Sequence, residues 1–234
     1  MPEPLAKLPT PSKPSTPSMP AMQATRIIAV RHGETAWNVA TRIQGQLDIE
    51  LNARGRWQAA QVVQALRGEP LQAVYASDLA RAWHTAQAIA LASATALTAH
   101  LGLRERHFGE FQGQTHAEIE SRWPQHALHW RQRNPDWAPP GGESLAELRE
   151  RTRQTVDELA GAHVGQQIVL VAHGGVLDAL YRLATAQPIG APRSWQLGNA
   201  SINRLLWTPQ GLSVVGWSDA RHLEAETLLD ESSH

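Results

Sequence analysis

The sequence contains no cysteine. Disulfides, thiolate metal sites and a cysteine nucleophile are therefore excluded, while the compartment stays open, because a cysteine-free chain suits any of them. No apolar run approaches the roughly 20 residues that a membrane-spanning helix needs. The N-terminal stretch has no apolar central block of the kind a secretory signal carries, so a cytoplasmic location is the default expectation. An excess of one charge sign is missing as well: 21 Lys and Arg stand against 22 Asp and Glu, a formal net charge of −1. Neither nucleic acid nor a membrane is expected as a partner, since each would favour a clustered basic excess. A bound anion must instead meet a few cations focused in a pocket.

What is present is enough apolar material for one sizeable core. The 234 residues are 42% hydrophobic and 18% charged, which suggests one domain or at most two. Residues 1–24 stand apart, with Pro at positions 2, 4, 9, 11, 14, 17 and 20 among Ser, Thr and Lys. Such a stretch cannot bury enough apolar surface to offset its ordering entropy and is expected to be a disordered tail. The folded domain is expected over 25–222, with a second tail over 223–234.

From Thr25 onward, short apolar runs alternate with longer amphipathic segments. Strands are expected at Arg26–Val30, Leu71–Ala76, about Ala96–Leu101 and Ile168–Ala172. Helices are expected at Asn52–Leu66 with Asn52 as N-cap, at Asp78–Ala92 and from about Gly175 to Ala184. Thr115 with Glu118, and Ser144 with Glu147, have the spacing of capping boxes. Ile202–Trp207 and Leu212–Trp217 flank a Pro209-Gln210-Gly211 turn and close the chain as two strands. This alternation predicts a three-layer α/β/α sandwich around a mainly parallel sheet, with the last pair as an antiparallel edge.

In open sheets of this kind, sites form beyond the carboxyl ends of the strands. Arg31-His32-Gly33 leaves the first strand and His173-Gly174-Gly175 leaves the later one. Arg81 follows the second strand and Glu105 the third. Arg31, His32, Arg81, Glu105 and His173 thus converge on one mouth. The set suits phosphoryl transfer. Guanidinium forks match phosphate geometry and can replace a metal ion at the equatorial oxygens. A neutral imidazole is a competent nucleophile. A carboxylic acid can protonate the leaving oxygen and then, as carboxylate, activate water.

Arg31-His32-Gly33-Glu34-Thr35 with Trp37-Asn38 resembles the signature of the histidine phosphatase (phosphoglycerate mutase-like) superfamily, in particular its small bacterial phosphatases. The likeness continues through Arg42 to Asp48, Ser77 to Ala82 with Thr85-Ala86, and Leu103-Arg104-Glu105 with Phe108-Gly109. It resumes at Gly142-Glu143-Ser144, Val171 to Gly175 and Leu197 to Ile202, so it spans about Thr25 to Trp207. The resemblance implies a phosphohistidine at His32, with Arg31, Arg81 and His173 gripping the phosphoryl oxygens and Glu105 as proton donor. It places Asn38, Gln44 and Gly45 in the phosphate pocket and lets Gly174 offer an N–H, while Glu34 and Thr35 shape the turn. It implies no cofactor and no metal. Its substrate would be a small phosphorylated molecule, and it leaves homo-oligomerisation open.

Glu110 competes with Glu105 for the acid's role, and Glu105 could instead be a surface carboxylate paired with Arg104 or Arg106. His126 and His129 have zinc-compatible spacing but lack a carboxylate-histidine motif, so they read as background; His84 is expected to face solvent. The run from Glu147 to Arg153 reads as a solvated helix face. A lid-like insertion is expected at about 106–142. Within it, Trp123, Trp130 and Trp137 stand with Arg122, Arg131 and Arg133, either as a substrate-selecting lid or as packing for the cap. A phosphomonoesterase is the favoured reading. A phosphoglycerate mutase uses nearly the same residues, although only 67 residues separate Glu105 from His173 here, fewer than such mutases tend to have. A catalytically idle phosphate-sensing module is the alternative of another class.

Overall fold

Apolar runs buried on both faces form the middle of the sheet. In the computed structural model, which describes residues 24–224, β1 (Thr25–Arg31) and β4 (Gln167–Ala172) run parallel, from Arg26 opposite Gln167 to Arg31 opposite Ala172. Every residue of β4 is buried, as expected where helices cover both faces. With β2 (Ala73–Ala76), β3 (Leu97–Ala99), β5 (Ile202–Thr208) and β6 (Gly211–Asp219), the strand order is β3-β2-β4-β1-β5-β6. The first four strands are parallel; β5 is antiparallel to β1, and β6 to β5.

The helices α2 (Ala53–Ala65) and α3 (Ala80–Ser93) cover one face, where Val62, Ala86 and Ile89 pack with Ile28, Val30 and Val169. The helices α6 (Leu145–Gly161) and α7 (Gly174–Ala184) cover the other, with Leu148, Val156 and Leu177 against Ile27, Ile168 and Leu170. The expected three-layer sandwich with its antiparallel edge is therefore present. The short helices α1 (Ala36–Val39), α4 (His116–Arg122) and α5 (Pro124–Arg131) lie in the connections. Phe111, Ile119 and Ala127 there form a separate small core with Trp123, Trp130 and Trp137.

Local chemistry sets the boundaries. Asn52 caps α2 by accepting from the Gly55 N–H at 2.7 Å. The Thr115/Glu118 and Ser144/Glu147 capping boxes open α4 and α6, and a third, Thr35/Asn38, opens α1. The strand expected at Ala96–Leu101 is shorter, because His100 Nδ1 accepts from the Gly102 N–H and turns the chain into a 3-10 turn at Leu101–Leu103. Likewise β2 starts at Ala73, after a turn in which the Leu71 N–H bonds to Glu69 O. The helix expected from Asp78 starts at Ala80. The two expected tails lie outside the described residues, except Ala24, Leu223 and Glu224. Leu223, assigned to the tail by the sequence, packs against the α2/α3 core from a 3-10 turn at Arg221–Leu223. No helix among the described residues is long and apolar enough to cross a membrane.

Candidate active site

The central strands β1 and β4 end side by side, and the chain leaves each through a histidine. The His32 N–H donates to Ala172 O at 3.0 Å, and the His32 and His173 rings lie 5.1 Å apart between centroids. His32 Nδ1 is 2.7 Å from Gly33 O. A carbonyl can only accept, so Nδ1 carries the proton and Nε2 keeps its lone pair. Burial, followed by the charges of Arg81 and Arg31, holds the His32 imidazole well below the usual histidine range. Burial, Arg81, His32 and Arg31 do the same to His173. His173 is fully buried, and neither of its ring nitrogens has a hydrogen-bond partner among the described residues.

Two guanidinium groups flank the histidines. Arg31 Nη1 donates to Leu197 O, while its buried Nε has no partner. Arg81 comes from the first turn of α3 and is completely buried. Its Nη1 donates to Leu47 O at 2.8 Å and its Nη2 to Gly45 O at 2.6 Å, and Nε again has no partner. Burial pulls its pKa down to about 10 against the opposing charges of Glu105 and Asp48. Gly45 presents that carbonyl at φ +53°, where a Cβ would also stand 2.2 Å from Gln112 Oε1, so glycine is favoured. The result is a buried cationic cradle with spare donors, the inverse of a metal site.

Glu105 accepts from the Arg106 N–H at 2.8 Å and from the Gly175 N–H at 3.0 Å. The second contact is to the first turn of α7, where the helix dipole favours a carboxylate. Gly174 starts the same helix and brings its N–H to the same end. Glu110 is exposed and lines no part of this pocket. Arg104 turns away to Asp78 at 2.7 Å, and the Arg106 Nε donates to Glu143 O. Neither side chain forms an ion pair with Glu105, so Glu105 is not a surface carboxylate of that kind.

A pocket of about 340 Å³ is lined by Arg31, His32, Arg81 and Glu105 together with Asn38, Gln44, Gly45 and Gly174. His173 adjoins this pocket through His32, its ring tilted 56° to that of His32. Asn38 Oδ1 is held by Thr35 and Asn199, and Gln44 Oε1 is buried without a partner. Glu34 accepts from Asn52 Nδ2, and Thr35 caps α1, so both shape the turn. The structure thus brings all nine sequence-selected residues together.

The insertion divides by role. All three tryptophans pack the small core, and of them only Trp130 also lines the pocket. Arg122 lies over Trp123 at 4.6 Å and Arg131 pairs with Glu120; only Arg133 of the three arginines reaches the pocket. His126 and His129 both pack on Trp137, and His84 is exposed. Among the described residues, no three or more His, Asp or Glu are grouped to hold a metal ion. The reading of 147–153 as a solvated face needs correction. Arg153 pairs on the surface with Glu150 and Asp157, but Arg151 points inward to Glu143 and donates to the carbonyls of Gly102 and Arg104, next to Glu105. Sequence reasoning also missed Arg106, Asp178 and Arg193 in the pocket wall. Asp178 was findable, four residues after Gly174 on one helix face; Arg193, in a loop without periodicity, carried no signal.

Residues 27–220 match the family model described as Histidine phosphatase superfamily (branch 1). The chain is 38% identical over 207 residues to phosphoglycerate mutase-like protein 4 of Arabidopsis thaliana, covering 87% of this chain and 89% of that protein. It is 37% identical to the metal-independent phosphoserine phosphatase of the same plant, covering 88% and 87%. A solved mycobacterial glucosyl-3-phosphoglycerate phosphatase complexed with VO3 superposes with a TM-score of 0.75 at 35% identity, covering 83% of this chain and 99% of that one.

Proposed function

Because the chain belongs to the histidine phosphatase superfamily, branch 1, we propose that it is a phosphomonoesterase that works without a metal ion, through a phosphohistidine at His32, on a small phosphorylated metabolite. The observation that carries this reading is the state of His32. Its Nδ1–H is committed to Gly33 O, its ring is kept neutral, and it is set among Arg31, Arg81 and His173, whose buried nitrogens have capacity to spare.

In this mechanism His32 Nε2 attacks phosphorus as the bond to the leaving oxygen breaks. Arg31, Arg81 and His173 hold the equatorial oxygens, aided by Asn38, Gln44, the Gly45 backbone and the Gly174 N–H, and they do the work that Mg²⁺ does elsewhere. Glu105 gives its proton to the departing alkoxide. Its carboxylate then takes a proton from water, which attacks the phosphohistidine and regenerates His32 with release of phosphate. The phosphatases among the relatives act, by their names, on phosphorylated acids, which makes such compounds the first to try.

The test is phosphate release in EDTA from p-nitrophenyl phosphate, 3-phosphoglycerate and sugar phosphates, with His32→Ala alongside. The wild type should release phosphate, and the variant should lose at least about 10³-fold in kcat, because the nucleophile itself is gone. Equal release by the variant sinks the reading. Phosphoryl exchange that needs a bisphosphoglycerate primer, without net hydrolysis, would identify a mutase, and neither activity would identify a phosphate-sensing module.

A further inference from the structure

Residues 197–201 enter none of the steps above, yet they meet the backbone of the nucleophile. They lead into β5, which runs antiparallel to β1 with Ile202 opposite Val30, so they arrive at the carboxyl end of β1. The Arg31 N–H donates to Ser201 O at 3.3 Å, Arg31 O accepts from the Ala200 N–H at 3.0 Å, and Arg31 Nη1 donates to Leu197 O. The Ala200 N–H also reaches His32 O at 3.2 Å. Ala200 is fully buried at φ +57°, a left-handed conformation that a residue with a Cβ rarely keeps unless its surroundings hold it there.

Asn199 extends this contact with its side chain. Its Nδ2 donates to His32 O at 3.0 Å and to Asn38 Oδ1 at 3.3 Å, with Gly33 O at 3.4 Å. Asn38 Oδ1 also accepts from the Thr35 N–H and the Thr35 hydroxyl, each at 3.0 Å. Reversing the Asn38 amide would set its NH2 group against three donors, so the network fixes which end is oxygen. Asn38 Nδ2 makes no hydrogen bond among the described residues and is not buried, which leaves two free N–H donors on a residue that lines the pocket. Thr35 and Asn38 belong to the same short helix start and can shift together. Asn199 ties that helix start to the backbone of His32.

Resting on the phosphatase reading above, we propose that Asn199 is a positioning residue for phosphoryl transfer, which it serves by bridging His32 O and Asn38 Oδ1. Thr35 decides which end of the Asn38 amide is turned to the pocket, and Asn199 decides where that end stands relative to the nucleophile. With both bonds made, the Asn38 NH2 group meets an equatorial phosphoryl oxygen while His32 Nε2 is aimed at phosphorus. Asn199 itself touches neither the phosphoryl group nor the leaving oxygen. The strained Ala200 fits this role, because its conformation keeps the backbone next to Asn199 on the carbonyls of Arg31 and His32.

A double-mutant cycle on the full chain, read by calorimetric titration with orthovanadate, tests this without requiring turnover. Asn38→Ala should weaken binding by about tenfold, the scale of one hydrogen bond to a charged group. Asn199→Ala should weaken it by about fivefold, and the double variant should bind no worse than Asn38→Ala alone, because Asn199 acts through Asn38. Should Asn199→Ala unfold, the isosteric Asn199→Asp takes its place; it cannot donate, and its charge, present with and without Asn38, cancels in the cycle. An additive cycle, with the double variant weakened by about fiftyfold, overturns the proposal. So does an Asn199 variant with a lowered melting temperature and unchanged vanadate affinity, the mark of a purely structural tie, and so does a wild type that binds no vanadate. An additive cycle in a protein that hydrolyses p-nitrophenyl phosphate removes the role of Asn199 and spares the phosphatase reading; a coupled cycle without hydrolysis of any ester does the reverse.

Discussion

Gly175 shows how tightly the proposed acid is placed. Its N–H donates to both Glu105 oxygens, and a Cβ there would lie 2.4 Å from Glu105 Oε1 and 3.3 Å from Leu148 Cδ2. Leu148 is fixed in the core, so the carboxylate must yield. Gly175→Ala should lower kcat by about 10²-fold, the scale of an ångström's misplacement, with the fold intact by circular dichroism; unchanged kcat would remove Glu105 from the chemistry. The paired imidazoles predict a pH dependence. His32 and His173 are held well below the ordinary value of 6.5, first by burial and then by neighbouring cations. The unfolded chain therefore binds more protons in the window from those lowered values up to about 6.5, so stability is full above that window and falls as pH drops through it. His222, also lowered mainly by burial, adds to this slope. Melting temperature should fall on acidification from about pH 7 to 5, and the double variant His32→Asn/His173→Asn should flatten the slope. An unchanged slope would contradict the neutral state of the pair.

At the scale of elements, α6 links stability to the site. Its capping box at Ser144 satisfies first-turn N–H groups, and Ser144→Ala should cost about 1 kcal/mol, or about 2–4 °C in melting temperature for a domain of this size. Arg151, further along the same helix, ties Glu143 to the carbonyls of Gly102 and Arg104, just before Glu105. Arg151→Ala should therefore reduce kcat more than it raises KM, whereas Arg153→Ala, altered on the solvent face, should change neither. Equal behaviour of the two variants would show that Arg151 does not position Glu105.

Across the whole molecule, a formal charge of −1 coexists with a pocket whose wall holds six arginines against Glu105 and Asp178. Attraction is thus local, and long-range steering is weak. Burying uncompensated cations costs stability, and a bound anion relieves that cost. Orthovanadate at 100 times its dissociation constant should stabilise the native state by about 2.7 kcal/mol through mass action, and Arg81→Ala should abolish the shift. A melting temperature insensitive to vanadate would mean that the cradle does not hold a phosphoryl-like anion.

Short-range chemistry made much of this legible from sequence alone. The β-branched runs, the Asn52 cap, the two capping boxes and the paired His-Gly strand ends depend on neighbours within a few residues, and all of them formed as expected. Ordered motifs selected the five residues proposed to react and the four proposed to hold phosphate, and these lie together at one pocket. Only the tertiary structure separated Glu105 from Glu110, turned Arg151 inward from an apparently solvated face, and brought Trp130 alone of the three core tryptophans to the pocket. It alone brought Arg193 and Asp178 into one cleft. The reason is physical: hydrophobic period and capping act along the chain, whereas the side a charged residue faces is decided by partners far away in sequence. Arg151 turns inward because carbonyls 47 and 49 residues away need donors, and no local pattern encodes that need.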